Sequence, residues 1–129
     1  MTSLFRSAIE GSYAHHHDPT WSRSEKIIAR KAFDLALGRE LDEVIQQAKR
    51  MATKIKQPSD LWDLEHYLTQ RRKEIDHKYD YRYSNLTFVF GKLIREGRLG
   101  EEELRGLRED KLASIRSHAK FLAELDTVA

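Results

Sequence analysis

The feature that most restricts the fold of this chain is an apolar repeat in its first half. Apolar residues recur there at alternating spacings of four and three, at Leu37, Leu41, Val44, Ala48, Met51 and Ile55. This heptad spacing predicts one continuous helix over about residues 22–55. Such a helix is about 50 Å long at ~1.5 Å per residue, so it needs a packing partner along its length.

The partner of this helix is the helix that follows it, a second copy of the chain, or both. We predict that the repeat forms the dimerisation seam of a homodimer, made of Leu37, Leu41, Val44, Ala48 and Met51. Gly38 lies inside the pattern, where glycine costs about 1 kcal/mol relative to alanine. It marks either the close approach of another helix or a mild bend.

A second helix is predicted over about residues 60–78, because Pro58 ends the first one. Its predicted core stripe is Leu61, Leu64, Leu68, Ile75 and Tyr79, with Arg71 at a step where an apolar residue is due. Residues 86–90 have the composition of a strand, but a lone short strand without a partner is unstable. We therefore predict a buried helix there, with Gly97 as its C-terminal stop.

A further helical stretch is predicted to start at Glu101 to Leu107 and to continue to near the C-terminus, with Gly106 as a point where it divides in two. Its apolar face is Leu104, Leu107, Leu112, Ile115, Ala119 and Leu122. Together these elements predict an all-α fold, in which the long N-terminal helix packs with the second helix in a dimeric helical bundle. The single helical domain covers residues 20–125, with 20–80 as the dimerisation part and 81–125 as a small C-terminal head. Residues 1–19 are predicted to be a flexible tail.

Composition and charge narrow the range of functions. The chain has no cysteine, which excludes disulfides, thiolate metal sites and cysteine nucleophiles. Its net charge of +2 argues against a general nucleic-acid binder. No apolar run approaches the ~20 residues of a membrane span, and residues 1–18 lack the apolar core of a signal peptide. We therefore expect a cytoplasmic protein without a cofactor.

The second helix carries a mixed polar and aromatic face beside its leucine stripe. Spacings of three and four place on it Trp62, Glu65, Thr69, Arg72 and Asp76, with His66 next to Glu65. Exposed tryptophan and arginine are typical of the residues that contribute most to binding at protein interfaces. We predict a protein-binding surface here. The alternative is that Trp62 packs inside its own chain and the charges are solvated.

Other groups of residues point to chemistry less directly. The run His15–His17 resembles a weak chelating tail, and Asp63 with His66 offers two metal ligands, which is too few for a site. Glu65 and His66 are an acid–base pair without a nucleophile or a phosphate-binding loop, so we expect no enzymatic activity. The basic run that begins at Arg71 is interrupted by acidic residues, which favours a solvated charged face over nucleic-acid binding.

One ordered series of residues runs through much of the chain. In the second helix and just after it, the series comprises Asp60, Leu61, Trp62, Leu64, Tyr67, Leu68, Arg72, Glu74, Ile75, Asp76, Lys78, Tyr79, Asp80 and Arg82. Elsewhere it comprises Trp21–Ser22, Arg39–Asp42, Phe88–Phe90 and Glu96–Gly97. The series resembles the fluorescence recovery proteins of cyanobacteria over roughly residues 20–115.

This resemblance implies a non-enzymatic, all-helical regulator that dimerises through its long helices. Members of the family bind the photoactivated orange carotenoid protein, mainly through that protein's C-terminal domain, and accelerate its return to the resting orange form. They hold no pigment themselves. A preference for one state of the partner is sufficient to shift its equilibrium.

The functional residues of the family match Trp62 and Arg72 on the second helix and Phe88 in the head. The predicted partner-binding and dimer-interface surface is therefore Trp62, Glu65, His66, Thr69, Arg72 and Phe88. Glu65–His66 stands where the family has His–Asp, and Ser114 stands at a basic position. These departures leave a second interpretation open, in which a different protein is the partner, and a third, in which the dimer associates with nucleic acid.

Overall fold

The computed structural model describes residues 20–128, and these form four α-helices and one short 3-10 helix. The helices are α1 (Arg23–Thr53), α2 (Pro58–Lys78), α3 (Leu86–Arg95) and α4 (Glu109–Val128), and the 3-10 helix spans Glu101–Leu104. The prediction of an all-α fold, with a long first helix packed against a second, is confirmed. The predicted tail, with His15–His17, lies outside the described residues.

Local sequence signals set the ends of the two long helices. Ser22 caps α1, because its Oγ accepts a hydrogen bond from the Glu25 N–H at 3.1 Å and Glu25 Oε1 accepts one from the Ser22 N–H at 3.0 Å. Pro58 is the first residue of α2. Proline is tolerated there because an N–H group at this position has no hydrogen-bond acceptor within the helix. Asp60 accepts hydrogen bonds from the N–H groups of Lys56 and Gln57, which fixes the turn between the helices.

The hydrophobic core lies between the first half of α1 and the elements that follow α2. The buried residues of this core are Trp21, Ala29, Ala32, Phe33, Ala36, Leu86, Val89, Phe90, Leu93, Leu99, Leu104, Leu107 and Ile115. Phe33 is its centre on α1, with Tyr81 edge-on at a ring-centroid distance of 4.8 Å. The first half of α1 thus belongs to the same core as the predicted head, which a division at residue 80 did not anticipate.

Helices α3 and α4 pack closely against each other. The predicted helix at 86–90 is confirmed as the start of α3, and Gly97 follows it with a φ of 78°. A side chain at Gly91 would lie 2.9 Å from the carbonyl oxygen of Ile115, so glycine is what lets α4 approach α3. The helical stretch predicted from Glu101 to near the C-terminus is divided at Gly106, which has a φ of 108°, into the 3-10 helix that ends at Leu104 and α4.

The remaining part of the molecule is a helical hairpin that contributes no buried residue. This arm consists of residues 41–74, that is, the second half of α1 and most of α2. The other described residues, 20–40 and 75–128, form the head. Ile75 is the one buried residue of α2, and it lies where the arm meets the head. The arm therefore extends from the head with its apolar side chains incompletely covered.

Candidate functional site

Helix α2 presents the predicted binding residues to solvent on one side of the arm. Trp62, Glu65, His66, Thr69 and Arg72 are all exposed, and Trp62 retains 62% of its accessible surface. Arg72 has a loose ion pair with Asp76, with 3.9 Å between Nε and Oδ2. Tryptophan side chains are usually well buried within their own chain, and Trp62 has no such packing. The structure therefore disagrees with the alternative in which Trp62 packs internally.

The predicted core stripe of α2 is partly wrong. Leu64 is partly covered and Ile75 is buried, but Leu61 and Leu68 are exposed. The partly covered positions of α2 include Asp60, Tyr67 and Lys78, which lie beside the predicted stripe, so the helix is rotated relative to it. Leu61, which follows Asp60 and precedes Trp62, and Leu68 consequently add to the exposed apolar surface of α2.

The end of α2 forms hydrogen bonds with Glu40, which is buried on α1. Its carboxylate accepts hydrogen bonds from Arg71 Nη2 at 2.6 Å, Lys78 Nζ at 2.9 Å and the Tyr79 hydroxyl at 2.8 Å. Burial alone raises the pKa of Glu40, but Lys78 and Tyr79 outweigh that effect, so its pKa is below the ordinary value. Three donors from one end of α2 thus fix how the arm leaves the head.

Arg98 and Glu96 extend this network into the segment after α3. Lys78 Nζ lies 2.7 Å from Glu96 Oε1, and Arg98 Nη2 lies 2.8 Å from Glu43 Oε1. Arg98 Nε also lies 3.4 Å from Glu40 Oε1. Sequence reasoning missed this network, although Arg71 at an expected apolar position was the one signal that pointed to it.

A second buried ion pair joins the start of α1 to the start of α4. Glu25 and Lys111 are both almost fully buried, with 3.1 Å between Oε1 and Nζ. Lys111 Nζ also donates to the carbonyl oxygen of Thr20 at 2.6 Å, and the N–H of Arg108 donates to Glu25 Oε2 at 2.8 Å. Burial opposes ionisation of Glu25, but Ser22, Arg108 and Lys111 outweigh it and lower its pKa to about 2.

Phe88 lies in the head and is not brought together with the other predicted site residues. It is partly exposed on α3, edge-on to His118 with 5.4 Å between ring centroids. It also lines a cavity of about 360 Å³ whose wall includes His77, near the end of α2. Trp62 and His77 are about 22 Å apart along the helix at ~1.5 Å per residue. The predicted site is therefore divided between the arm and the head.

The predicted seam follows α1 from the head into the arm. Leu37, Val44, Ala48 and Met51 are partly covered, and Leu41 is exposed. Ile45, beside Leu41 on the arm, is also exposed. Within residues 20–128, a Cβ atom built at Gly38 meets no atom within 4 Å beyond its own helix backbone, so no other described helix approaches it. The dimerisation seam remains a prediction, and the structure leaves its surface near Gly38 and Leu41 uncovered.

The alternative sites receive little support from the described residues. Arg71 and Lys78 turn toward Glu40, and Arg82 pairs with Asp80, so the basic run neither forms a free cationic face nor is wholly solvated. Within residues 20–128 no group of three or more potential ligands is placed to hold a metal ion. In the same range no helix is long and apolar enough to cross a lipid bilayer.

Comparisons with known protein families, sequences and solved structures identify relatives of this chain. Residues 21–119 match the family described as photoprotection regulator fluorescence recovery protein. The chain is 41% identical over 101 residues to the fluorescence recovery protein of Synechocystis sp., covering 78% of this chain and 93% of the relative.

Two solved structures are similar over the same share of the chain. The fluorescence recovery protein of Fremyella diplosiphon shares 44% identity at a TM-score of 0.75, and the alignment covers 78% of this chain and 99% of that one. That of Synechocystis sp. shares 40% identity at the same TM-score of 0.75, again over 78% and 99%. The chain described here belongs to the fluorescence recovery protein family.

Proposed function

We propose that this protein is a non-enzymatic regulator that acts as a homodimer and binds the photoactivated orange carotenoid protein through the α2 face of Trp62 and Arg72. Binding accelerates the partner's return to its resting orange form. The family supports a regulatory role in photoprotection. The observation that carries the proposal is the exposed indole of Trp62 on a helix held in place by Glu40.

The arm supports the dimer part of this proposal. Its uncovered apolar side chains include Leu41 and Ile45 on α1 and Leu61 and Leu68 on α2. Contiguous apolar side chains on the surface of a small protein mark an interaction site. A second copy that covers them would supply the buried surface that the arm lacks. Because Trp62 is next to Leu61, the proposed dimer interface and the proposed partner-binding face adjoin on α2.

Rigidity of the α2 face favours tight binding. The donors from Arg71, Lys78 and Tyr79 hold α2 to α1 at Glu40, so little conformational freedom is lost when a partner docks. Arg72 retains most of its exposure and has only a loose pair with Asp76. It is thus available for a charge-assisted contact with a carboxylate or a carbonyl of the partner.

The direct test mixes the protein with photoactivated orange carotenoid protein and follows the red-to-orange decay. We expect a faster decay and a complex on size-exclusion chromatography. Replacing Trp62 by alanine is expected to weaken binding about thirtyfold or more, because truncating a residue central to an interface costs about 2 kcal/mol or more. Glu74→Ala is the matched control, because Glu74 is exposed and lies about 120° around the same helix from Trp62.

Absence of both acceleration and complex would reject the carotenoid protein as partner. The second interpretation, a different protein partner, is favoured by Glu65 and His66, since both are exposed at the centre of the α2 face. A histidine there cannot supply a fixed negative charge. Exchanging the pair to His–Asp distinguishes the two: recovery of activity only in the exchanged variant would show that this chain serves another partner.

A further inference from the structure

We propose that the cavity between the end of α2 and the start of α3 binds a small organic anion, in which a carboxylate or phosphate group is joined to an apolar ring. The cavity has a volume of about 360 Å³. Sites for small molecules typically measure ~300–1,000 Å³. The proposal goes beyond the regulatory function proposed above, and it does not depend on which protein is the partner.

One wall of the cavity is apolar and held in place by the core of the head. Phe88 and Val89 form this wall near the start of α3. Val89 is buried, and the ring of Phe88 packs edge-on against His118 of α4, with 5.4 Å between ring centroids. Phe88 nevertheless retains 38% of its accessible surface. Part of its ring is therefore available to stack against a ring of a ligand.

The negative charge in the cavity is already paired. Asp80 is the only acidic residue among the described residues that line the cavity. Its carboxylate accepts hydrogen bonds from Arg82 Nε at 2.9 Å and from Asn85 Nδ2 at 3.0 Å, and the Arg82 N–H donates to Oδ1 at 3.2 Å. Because the guanidinium compensates the carboxylate directly, Asp80 opposes an incoming anion only weakly.

Two basic side chains that line the cavity are available to bind an anion. Lys92 is partly covered on α3, one turn beyond the apolar wall, and His77 is exposed near the end of α2. Glu96 lies one further turn along from Lys92, but it pairs with Lys78 Nζ at 2.7 Å. Within residues 20–128, neither Lys92 nor His77 forms a side-chain hydrogen bond or ion pair. Their N–H groups are therefore free to donate to carboxylate or phosphate oxygens.

The combination of an apolar wall and free donors determines the class of ligand. Basic residues outnumber the single acidic one among the described lining residues, which disfavours a metal cation. A wholly apolar ligand would cover Lys92 without providing a partner for its charge. An organic anion satisfies both requirements, because its charged group can accept hydrogen bonds from Lys92 and His77 while its ring contacts Phe88. Sites for small molecules commonly combine apolar walls with a few polar groups that orient the ligand.

The test titrates phenyl phosphate into the full-length protein at constant ionic strength and follows the backbone amide shifts by NMR. We expect saturable binding with a Kd on the order of millimolar or tighter, and the largest shifts within residues 77–92. Inorganic phosphate should bind at least about threefold more weakly, because it lacks the ring that contacts Phe88. Equal binding of the two anions, or shifts that do not saturate, would overturn the proposal.

Substitutions of lysine locate the bound anion. Lys92→Gln is expected to weaken the binding of phenyl phosphate about tenfold, because it removes a charge-assisted hydrogen bond. Lys92→Arg keeps the charge and should retain most of the binding. Lys31→Gln is the matched control, because it removes the same charge from an exposed lysine on α1 that does not line the cavity. Equal weakening by Lys92→Gln and Lys31→Gln would show that the anion responds to overall charge alone, and would overturn the proposal.

Discussion

The head and the arm of this molecule differ in how completely a single chain buries their side chains. In the head, Phe90, Leu86, Leu93 and Leu104 are fully buried, and even its charged residues Glu25 and Lys111 are paired inside. In the arm, residues 41–74 include no buried side chain. The contrast supports the proposed dimer, in which one chain stabilises the head and a second copy covers the arm. The following predictions test this division, from the largest effect to the smallest.

The largest effect is expected for a truncation in the head. Phe90→Ala should lower the free energy of unfolding by about 3–5 kcal/mol, because it leaves a cavity in a close-packed core. Leu61→Ala, on the exposed side of the arm, should cost less than about 1 kcal/mol in dilute protein. Denaturant titration of both variants measures the difference. Similar losses would mean that the arm is as well packed as the head.

Acid should weaken the head through Glu25. Its pKa is about 2 when folded and 4.5 in its ordinary state, so the unfolded chain binds more protons as the pH falls. The stability that Glu25 contributes is complete above about pH 5 and is lost as the pH falls toward 2. The loss amounts to about 3 kcal/mol in total, and to about 2 kcal/mol between pH 5 and 3. The slope of stability against pH should be shallower in Glu25→Gln by this amount, and an unaltered slope would contradict the assignment.

A smaller effect is expected where the arm joins the head. Glu40→Gln should cost about 1–2 kcal/mol, because the amide replaces a charge-assisted acceptor for Arg71 and Lys78. The loss should appear first as faster hydrogen exchange in α2, with α3 and α4 unaffected. Uniform acceleration over all four helices would instead indicate that Glu40 stabilises the molecule as a whole.

The smallest effect on a single chain is expected along the predicted seam. Leu41→Ser should change the stability of dilute protein by less than about 0.5 kcal/mol, since Leu41 is 43% exposed. It should nevertheless weaken the proposed dimer at least tenfold in analytical ultracentrifugation. Leu35→Ser is the matched control, because Leu35 is similarly exposed, at 39%, but lies off the seam. Equal weakening by both substitutions would show that the seam is wrongly placed.

Sequence periodicity predicted the helices well and their mutual packing less well. The boundaries of α1 and α2 follow from capping residues and Pro58, which are local signals. The orientation of α2 involves hydrogen bonds from Arg71, Lys78 and Tyr79 to Glu40. Glu40 lies more than thirty positions earlier in the sequence than these three residues. Apolar periodicity carries no record of such a contact, so Leu61 and Leu68 were wrongly placed in the core.

The candidate site shows the same limit. The exposed face of Trp62 and Arg72 was visible in the spacing of one helix, and the structure leaves both side chains exposed. Phe88 entered the site only through family resemblance, and the chain places it in the head, at the far end of α2. The Glu25–Lys111 pair joins residues at opposite ends of the domain and had no signal in the spacing of either helix.

The most direct test of the account is hydrogen exchange measured as a function of protein concentration. The account predicts that amides of α3 and of the first half of α1 are protected equally at all concentrations. Protection in residues 41–74 should rise with concentration, in step with the dimer fraction from sedimentation. An arm that is fully protected in a sample that sediments as a monomer would contradict the claim that a second copy completes it.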